Sequence, residues 1–133
     1  MAQHFYFGKR SLAHLATVHP ELQQVAKRAL QQSRVDFTII SGLRTMAEQE
    51  KLVAAGKSQT LKSRHLDGMA LDFVPLDPIT GKGRFDRALA IEVAAAFMDA
   101  GASLGCPIKW GGMWKNFEDI PHIEIASFSS KFD

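Results

Sequence analysis

Two short segments of the sequence combine ionisable side chains with apolar, strand-like residues. The first covers residues 63–72 and places His65 and Asp72 on either side of a glycine bend. The second covers residues 119–124 and places His122 three positions after Asp119. A carboxylate inside an apolar strand is unfavourable unless it is paired or bound to a metal. Imidazole nitrogens and carboxylate oxygens are common zinc ligands, so the two segments together predict a metal site.

His65, Asp72 and His122 make a set of three protein ligands that leaves one position open for water. That arrangement is typical of catalytic zinc rather than of closed structural zinc. The ion would lower the pKa of a bound water toward about 7 and polarise a carbonyl group. A separate carboxylate must then accept the proton of the water and pass it on. Asp119 is the first candidate for this base, and spacing alone leaves Glu118 and Glu124 open as rivals.

Other residues near these segments are candidates for supporting roles. Arg44 follows a predicted strand and precedes a predicted helix, where its guanidinium could stabilise an oxyanion, hold a substrate carboxylate or form a structural bridge. Glu124 shares a strand face with His122 and is a candidate for orienting a ligand histidine. Trp110 and Trp114 are interpreted either as packing residues or as substrate contacts.

The elements that must position these residues alternate along the chain. Pro20 suits the first turn of a helix whose apolar residues fall on one face. Thr45 and Glu48 form a capping-box signature, Ser11 and Asp86 are candidate caps, and Gly101 is the expected end of the last helix. Predicted helices begin at residues 11, 20, 45 and 86, and predicted strands cover residues 35–40, 69–74, 108–110 and 120–125. This pattern predicts an α+β fold in which helices pack on a small, mostly antiparallel sheet.

Composition narrows the class of protein. The chain has 133 residues, 46% of them hydrophobic and 23% charged, which suits one catalytic domain over residues 1–133. With 16 basic and 14 acidic residues and no dense basic block, nucleic-acid binding is not expected. Cys106 is the single cysteine, so an intramolecular disulfide is excluded. The first residues do not form a signal peptide and no apolar run would span a membrane, so the expected location is the cytoplasm until another factor releases the protein.

The motifs resemble those of a known group of enzymes. The pattern Ser63-x-His65-x-x-Gly68-x-Ala70-x-Asp72, followed by Asp119-x-x-His122, is similar to that of zinc peptidases acting on bacterial peptidoglycan. These include D-alanyl-D-alanine carboxypeptidases and dipeptidases, and the L-alanyl-D-glutamate peptidases of tailed-phage endolysins. The segments 41–45 and 110–114 most resemble the endolysin branch. The resemblance covers roughly residues 37–125, with the motifs in the expected order.

This resemblance implies a set of roles. His65, Asp72 and His122 would bind Zn²⁺, Asp119 would be the general base, and Arg44 would stabilise the transition state. Ser63 would lie near the ligands or the substrate. The fold would be the one shared with the hedgehog signalling domain. The protein would be a monomeric endolysin that hydrolyses the L-alanyl-D-glutamate bond and lyses the wall. It would need a holin for release from the host cytoplasm to the periplasm.

Three other functions are compatible with parts of the pattern. The first is a D-Ala-D-Ala carboxypeptidase of the same family. The second is a non-catalytic cell-wall-binding module, although a decayed site would not need the carboxylate of Asp119. The third is a non-haem iron oxygenase, which also uses two histidines and one carboxylate. The long predicted helices disfavour the oxygenase, because such enzymes usually have a jelly roll of many strands.

Overall fold

A four-stranded antiparallel sheet carries helices and two short 3₁₀ turns, in a computed structural model that describes residues 5–58, 60–114 and 118–126. The strands lie in the order β1-β2-β4-β3. The predicted α+β architecture is therefore confirmed. The helices are α1 (Lys9–Leu15), α2 (Pro20–Gln32), α3 (Met46–Ala54) and α4 (Arg87–Leu104). The strands are β1 (Phe37–Ser41), β2 (Ala70–Pro75), β3 (Ile108–Trp110) and β4 (His122–Ile125), and the 3₁₀ turns are Arg64–Asp67 and Gly111–Met113.

The hydrophobic core lies between the sheet and helices α2 and α4. The apolar face of α2 is buried as predicted, and Pro20 occupies its first turn. Three phenylalanine rings, Phe37, Phe73 and Phe97, meet at the centre with centroid separations of 5.3 to 6.1 Å. Each fully buried large apolar side chain stabilises the fold by about 1.5–3 kcal/mol. The core thus fixes the sheet on which the polar residues are mounted.

Two helix boundaries differ from those predicted. Helix α1 begins at Lys9 rather than Ser11, because the buried Ser11 hydroxyl instead accepts a hydrogen bond from the Ile39 amide at 3.1 Å. Helix α4 continues past Gly101 and ends at Gly105, which has a φ of 70°. Gly101 is required for space, since a Cβ there would lie 2.4 Å from the carbonyl oxygen of Cys106. Close packing and helix termination use the same residue type, so the sequence alone did not separate them.

The register of the central strands brings the polar residues together. Asp72 of β2 is paired with Ser41 of β1 on one side and with His122 of β4 on the other. Because side chains alternate across a strand, the side chains of His122 and Glu124 project from the same face. The intervening Ile123 is fully buried in the core. Hydrophobic alternation therefore determines which face of the sheet carries the site.

Helix α3 and the turn after β2 follow local sequence signals. Thr45 and Glu48 form the predicted capping box, with hydrogen bonds of 3.0 and 3.1 Å between side chain and backbone. The turn over residues 77–83 is closed by a bridge between Leu76 and Gly83, and Asp77 accepts amide hydrogen bonds within it. Among the described residues, no helix has the length and apolarity needed to cross a membrane.

Candidate active site

Three ligand-type side chains converge at one face of the sheet. His65 comes from the first 3₁₀ turn, Asp72 from β2 and His122 from β4. Their donor atoms all lie within 4.8 Å of one another. Asp72 Oδ1 is 3.2 Å from His65 Nε2 and 3.6 Å from His122 Nδ1. The structure thus brings together the two segments that the sequence singled out.

The imidazole of His65 is held in one tautomer. Its Nδ1 lies 2.8 Å from the carbonyl oxygen of Gly42, which can only accept a hydrogen bond, so Nδ1 carries the proton. The lone pair of the neutral ring is then on Nε2, the atom that faces Asp72. Ser63 caps the turn by accepting a hydrogen bond from the His65 amide at 3.1 Å. These contacts aim Nε2 at the centre of the cluster.

His122 is oriented by the same principle with the nitrogens exchanged. Its Nε2 lies 2.8 Å from Glu124 Oε1, a carboxylate that accepts the proton of this nitrogen. Nδ1 therefore faces Asp72 and Asp119. Partners of this kind fix the ring and raise the basicity of a metal-binding histidine. The indole of Trp114 packs against the ring with a centroid separation of 4.9 Å.

The donor set fits a divalent ion of the zinc type. Ligand bonds of about 2.0–2.1 Å in a tetrahedron place neighbouring donor atoms about 3.3 Å apart. The separations of 3.2 and 3.6 Å that join Asp72 Oδ1 to the two imidazole nitrogens are close to this value. Two imidazoles and one carboxylate, each with a second partner, are the chemistry of a three-ligand site with an open position. His65, Asp72 and His122 are therefore the residues able to hold a metal.

Arg44 fixes the second oxygen of Asp72. Its Nη2 donates to Asp72 Oδ2 at 2.9 Å, and its Nη1 donates to Gln49 Oε1 at 3.0 Å. The Asp72 carboxylate is thereby turned so that Oδ1 faces the histidines. Although burial opposes ionisation of Asp72, its contacts with His122 and His65 hold its pKa below the ordinary value. Asp72 is accordingly a carboxylate, the form that binds metal.

Asp119 lies beside the donor set without joining it. Its Oδ2 is 3.9 Å from His122 Nδ1, and burial together with the charge of Asp72 raises its pKa. The backbone at Asp119 is held by Gly111, whose carbonyl oxygen accepts a hydrogen bond from the Asp119 amide at 2.9 Å. A Cβ on Gly111 would lie 2.4 Å from the Asp119 carbonyl oxygen, so only glycine fits. The rival Glu118 instead forms an ion pair with Arg87.

A cavity of about 520 Å³ opens over the donor atoms. It is lined by the ligand-type residues and by Arg44, Ser63, Asp119, Glu124 and Trp114, together with Lys57, Lys62 and neighbouring residues. Trp110 is not among the lining residues. It is only 6% exposed, packs in the core, and donates from its indole nitrogen to the Ile120 carbonyl at 2.6 Å. Trp110 thus supports the segment before His122, and Trp114 is the tryptophan that borders the cavity.

Gln49 belongs to this neighbourhood and was not singled out from the sequence. It is fully buried on α3 and contacts Arg44 directly. The signal available in the sequence was a glutamine four positions after the capping threonine, on the inner face of a short helix. A polar residue on such a face requires partners. The identity of those partners depends on tertiary contacts that helical periodicity does not contain.

Metal affinity is expected to rise with pH between 7 and 9. Burial lowers the pKa of His122, but hydrogen bonds with Asp72 and Glu124 outweigh burial and raise it to about 9. In the metal-free protein the His122 ring therefore carries a second proton below pH 9. A metal ion must displace that proton in order to bind. The apparent affinity should therefore increase up to about tenfold per pH unit. Competition with a chromophoric chelator at pH 7, 8 and 9 measures this. Glu124→Gln should weaken the dependence, and an affinity unchanged in the wild type from pH 7 to 8 would contradict it.

The chain is similar to known peptidases in both sequence and fold. Residues 3–130 match the family model described as phage L-alanyl-D-glutamate peptidase. The L-alanyl-D-glutamate peptidase of Escherichia phage T5 is 44% identical over 125 residues, covering 91% of this chain and 89% of that protein. The crystal structure of the L-Ala D-Glu endopeptidase ChiX of Serratia marcescens has a TM-score of 0.84 and 38% identity, over 95% of this chain and 93% of that one. The D,D-dipeptidase VanXYg, at 13% identity and a TM-score of 0.50, covers 84% of this chain and 51% of that one and shares the fold alone.

Proposed function

The chain belongs to the family of phage L-alanyl-D-glutamate peptidases, and from this premise we propose that it cleaves peptidoglycan stem peptides with a zinc ion held by His65, Asp72 and His122. It is an endopeptidase of the L-alanyl-D-glutamate class. The observation that carries the metal assignment is the convergence of three donor atoms, Nε2 of His65, Oδ1 of Asp72 and Nδ1 of His122. When bound, a zinc ion would lower the pKa of water and polarise the scissile carbonyl.

Asp119 is proposed as the general base. Its carboxylate borders the cavity, and its Oδ2 lies 3.9 Å from Nδ1 of His122. In the proposed reaction Asp119 takes one proton from the water whose oxygen attacks the L-alanyl carbonyl carbon. It then delivers that proton to the amide nitrogen of D-glutamate as the carbon–nitrogen bond breaks. A carboxylate whose pKa is raised by burial is suited to both transfers.

Arg44 is proposed to act on two groups. Its bond to Asp72 Oδ2 holds that carboxylate in its orientation. A guanidinium has five N–H donors, so bonds to Asp72, Gln49 and Ser41 are compatible with a further contact to a substrate oxygen. Its place in the cavity lining supports a role in stabilising the developing oxyanion. Ser63 is proposed to act through the turn that it caps.

Basic side chains on the cavity wall suit an anionic substrate, although Asp72, Asp119 and Glu124 also line the cavity. Lys57 and Lys62 lie on its wall, in the segment between α3 and the first 3₁₀ turn. A glutamyl residue inside a peptide keeps one carboxyl group that does not form a peptide bond. Where the peptide continues through the side-chain carboxyl of this residue, the free group is the α-carboxylate, which is attached to the same carbon as the scissile nitrogen. The lysines would favour its approach by a long-range attraction that salt weakens.

The biological setting is also part of the proposal. We propose that residues 1–133 act as one monomeric catalytic domain that degrades the wall during phage lysis. Release from the host cytoplasm into the periplasm would depend on a holin. The family assignment and the phage relative support action on the cell wall.

The alternatives differ in what they predict for the products. An oxygenase of the jelly-roll type is disfavoured by a sheet of four strands covered by helices. A carboxypeptidase would remove a terminal D-alanine, and a binding module would remove nothing. Neither alternative has an observation in the described residues that favours it over the endopeptidase.

Mass spectrometry of digested peptidoglycan tests the function. Purified peptidoglycan is incubated with the zinc-loaded protein, and a chelated sample is the control. We expect fragments split between L-alanine and D-glutamate that are absent after chelation. Loss of terminal D-alanine would move the chain to the carboxypeptidase activity. No cleavage by protein with confirmed bound zinc would overturn the catalytic proposal, and equal cleavage after complete removal of metal would overturn the role of zinc.

A further inference from the structure

Gln49 occupies a buried position between the metal-binding residues and the cavity wall. Its side chain is fully buried on α3. The amide nitrogen donates to Ser58 Oγ at 2.9 Å and to the Thr60 carbonyl oxygen at 2.7 Å. The amide oxygen accepts from Arg44 Nη1 at 3.0 Å. A buried amide without such partners would destabilise the fold by about 1–3 kcal/mol.

The orientation of this amide is determined by its neighbours. The Thr60 carbonyl can only accept a hydrogen bond, and the Arg44 guanidinium can only donate one. The nitrogen of Gln49 must therefore face Thr60, and the oxygen must face Arg44. A reversed amide would break both contacts at once. Gln49 thus has one orientation, and that orientation fixes the position of Nη1.

Arg44 transmits this position to the metal-binding carboxylate. Its Nη2, on the same rigid plane as Nη1, donates to Asp72 Oδ2 at 2.9 Å. With Oδ2 held there, Oδ1 is directed to His65 Nε2 and His122 Nδ1. A continuous path of hydrogen bonds therefore runs from the cavity wall at Ser58 and Thr60, through Gln49 and Arg44, to Asp72.

We infer that Gln49 is a positioning residue for the peptidase reaction, because its buried amide fixes the Arg44 guanidinium against Asp72 and ties this pair to the cavity wall. Gln49 acts through Arg44 and does not contact the substrate itself. This inference rests on the proposed function. A purely structural role would need only the bonds to Ser58 and Thr60, whereas the amide oxygen is directed at Arg44.

Gln49→Met tests the inference, because methionine matches the length of glutamine and lacks the amide. We expect kcat on an L-alanyl-D-glutamate substrate to fall at least about tenfold, since small misplacements of positioned groups reduce rates by up to about 10²-fold. KM and zinc content should stay near wild-type values. Gln23→Met is the matched control, because Gln23 also donates to a backbone carbonyl, that of Val18 at 2.9 Å, but lies on α2 away from the cavity. It should keep wild-type kcat.

The double variant with Arg44→Ala separates positioning from general stability. If Gln49 acts through Arg44, Gln49→Met should reduce kcat by less than about twofold in the Arg44→Ala background. An equal reduction in both backgrounds, or a wild-type kcat in Gln49→Met, would overturn the inference. If the methionine variant does not fold, Gln49→Asn replaces it in the test. Asparagine keeps the amide but is one methylene shorter, so the kcat of this variant should also fall.

An NMR measurement that does not depend on catalysis completes the test. Rotation of the Arg44 guanidinium, followed by NMR in the zinc-loaded protein, should be restrained in the wild type and faster in Gln49→Met. Unchanged rotation would overturn the inference even if kcat falls. A wild-type protein that cleaves nothing while Arg44 is restrained would refute the proposed function, and with it a catalytic role for Gln49.

Discussion

Asp119→Asn is expected to slow cleavage by about 10²- to 10⁴-fold while the protein still binds zinc, because general-base catalysis contributes rate factors of this size. The substitution keeps the shape of the side chain and removes its ability to take a proton. Asp119 is not one of the three converging donors, so the metal site should persist. Single-turnover cleavage of peptidoglycan and zinc content per chain, measured on the same preparation, give the two quantities.

Glu118→Gln is the matched control for this experiment. Glu118 is the neighbouring carboxylate, but it is half-exposed and paired with Arg87 rather than placed in the cavity lining. We expect cleavage at close to the wild-type rate in this variant. If Asp119→Asn retained wild-type activity, or if Glu118→Gln lost it, the proton-transfer role would have to be reassigned.

His65→Ala and His122→Ala are each expected to reduce bound zinc from about one ion per chain to near zero after desalting. Each change leaves two of the three proposed protein ligands, and metal-binding energy is coupled to folding. At about 1,000 times the dissociation constant, an ion stabilises the folded state by about 4 kcal/mol. The wild type should therefore gain thermal stability on zinc addition, and neither variant should. Elemental analysis and thermal unfolding with and without zinc measure both effects.

His14→Ala controls for the loss of a histidine as such. His14 lies in the last turn of α1 and is not among the residues that line the cavity. We expect its zinc content and zinc-dependent stabilisation to equal those of the wild type. Full zinc occupancy in His65→Ala or His122→Ala would show that the altered residue is not a ligand.

The parts of the molecule that were predictable from sequence are those with local causes. The capping box of α3 and the buried face of α2 follow from spacing within one helix. The alternation around Asp72 and around His122 placed each polar side chain on a strand face. Their convergence with His65 was inferred because a carboxylate and a histidine in apolar strands need partners, and because the motifs resemble those of zinc peptidases. These predictions required no knowledge of how the strands pair.

The features that were not predictable depend on contacts between distant segments. Ser11 lies inside α1 because its hydroxyl meets the amide of Ile39, and Gly101 lies inside α4 because the chain returns against it. The contact of Arg44 with Asp72 and Gln49 joins three elements. Trp110 faces the core because β3 pairs with β4 in one particular register. None of these causes is present in a window of neighbouring residues.

The pairing of Asp72 with His122 makes the accuracy of strand alignment a condition for activity. If β4 slipped by one residue against β2, Ile123 would replace His122 opposite Asp72, and the isoleucines would turn toward the polar face. Such a misaligned chain would lose core packing and the donor set in the same event. Selection for a well-packed β4 therefore also maintains the chemistry, because a misregistered β4 would keep neither the core packing nor the donor set.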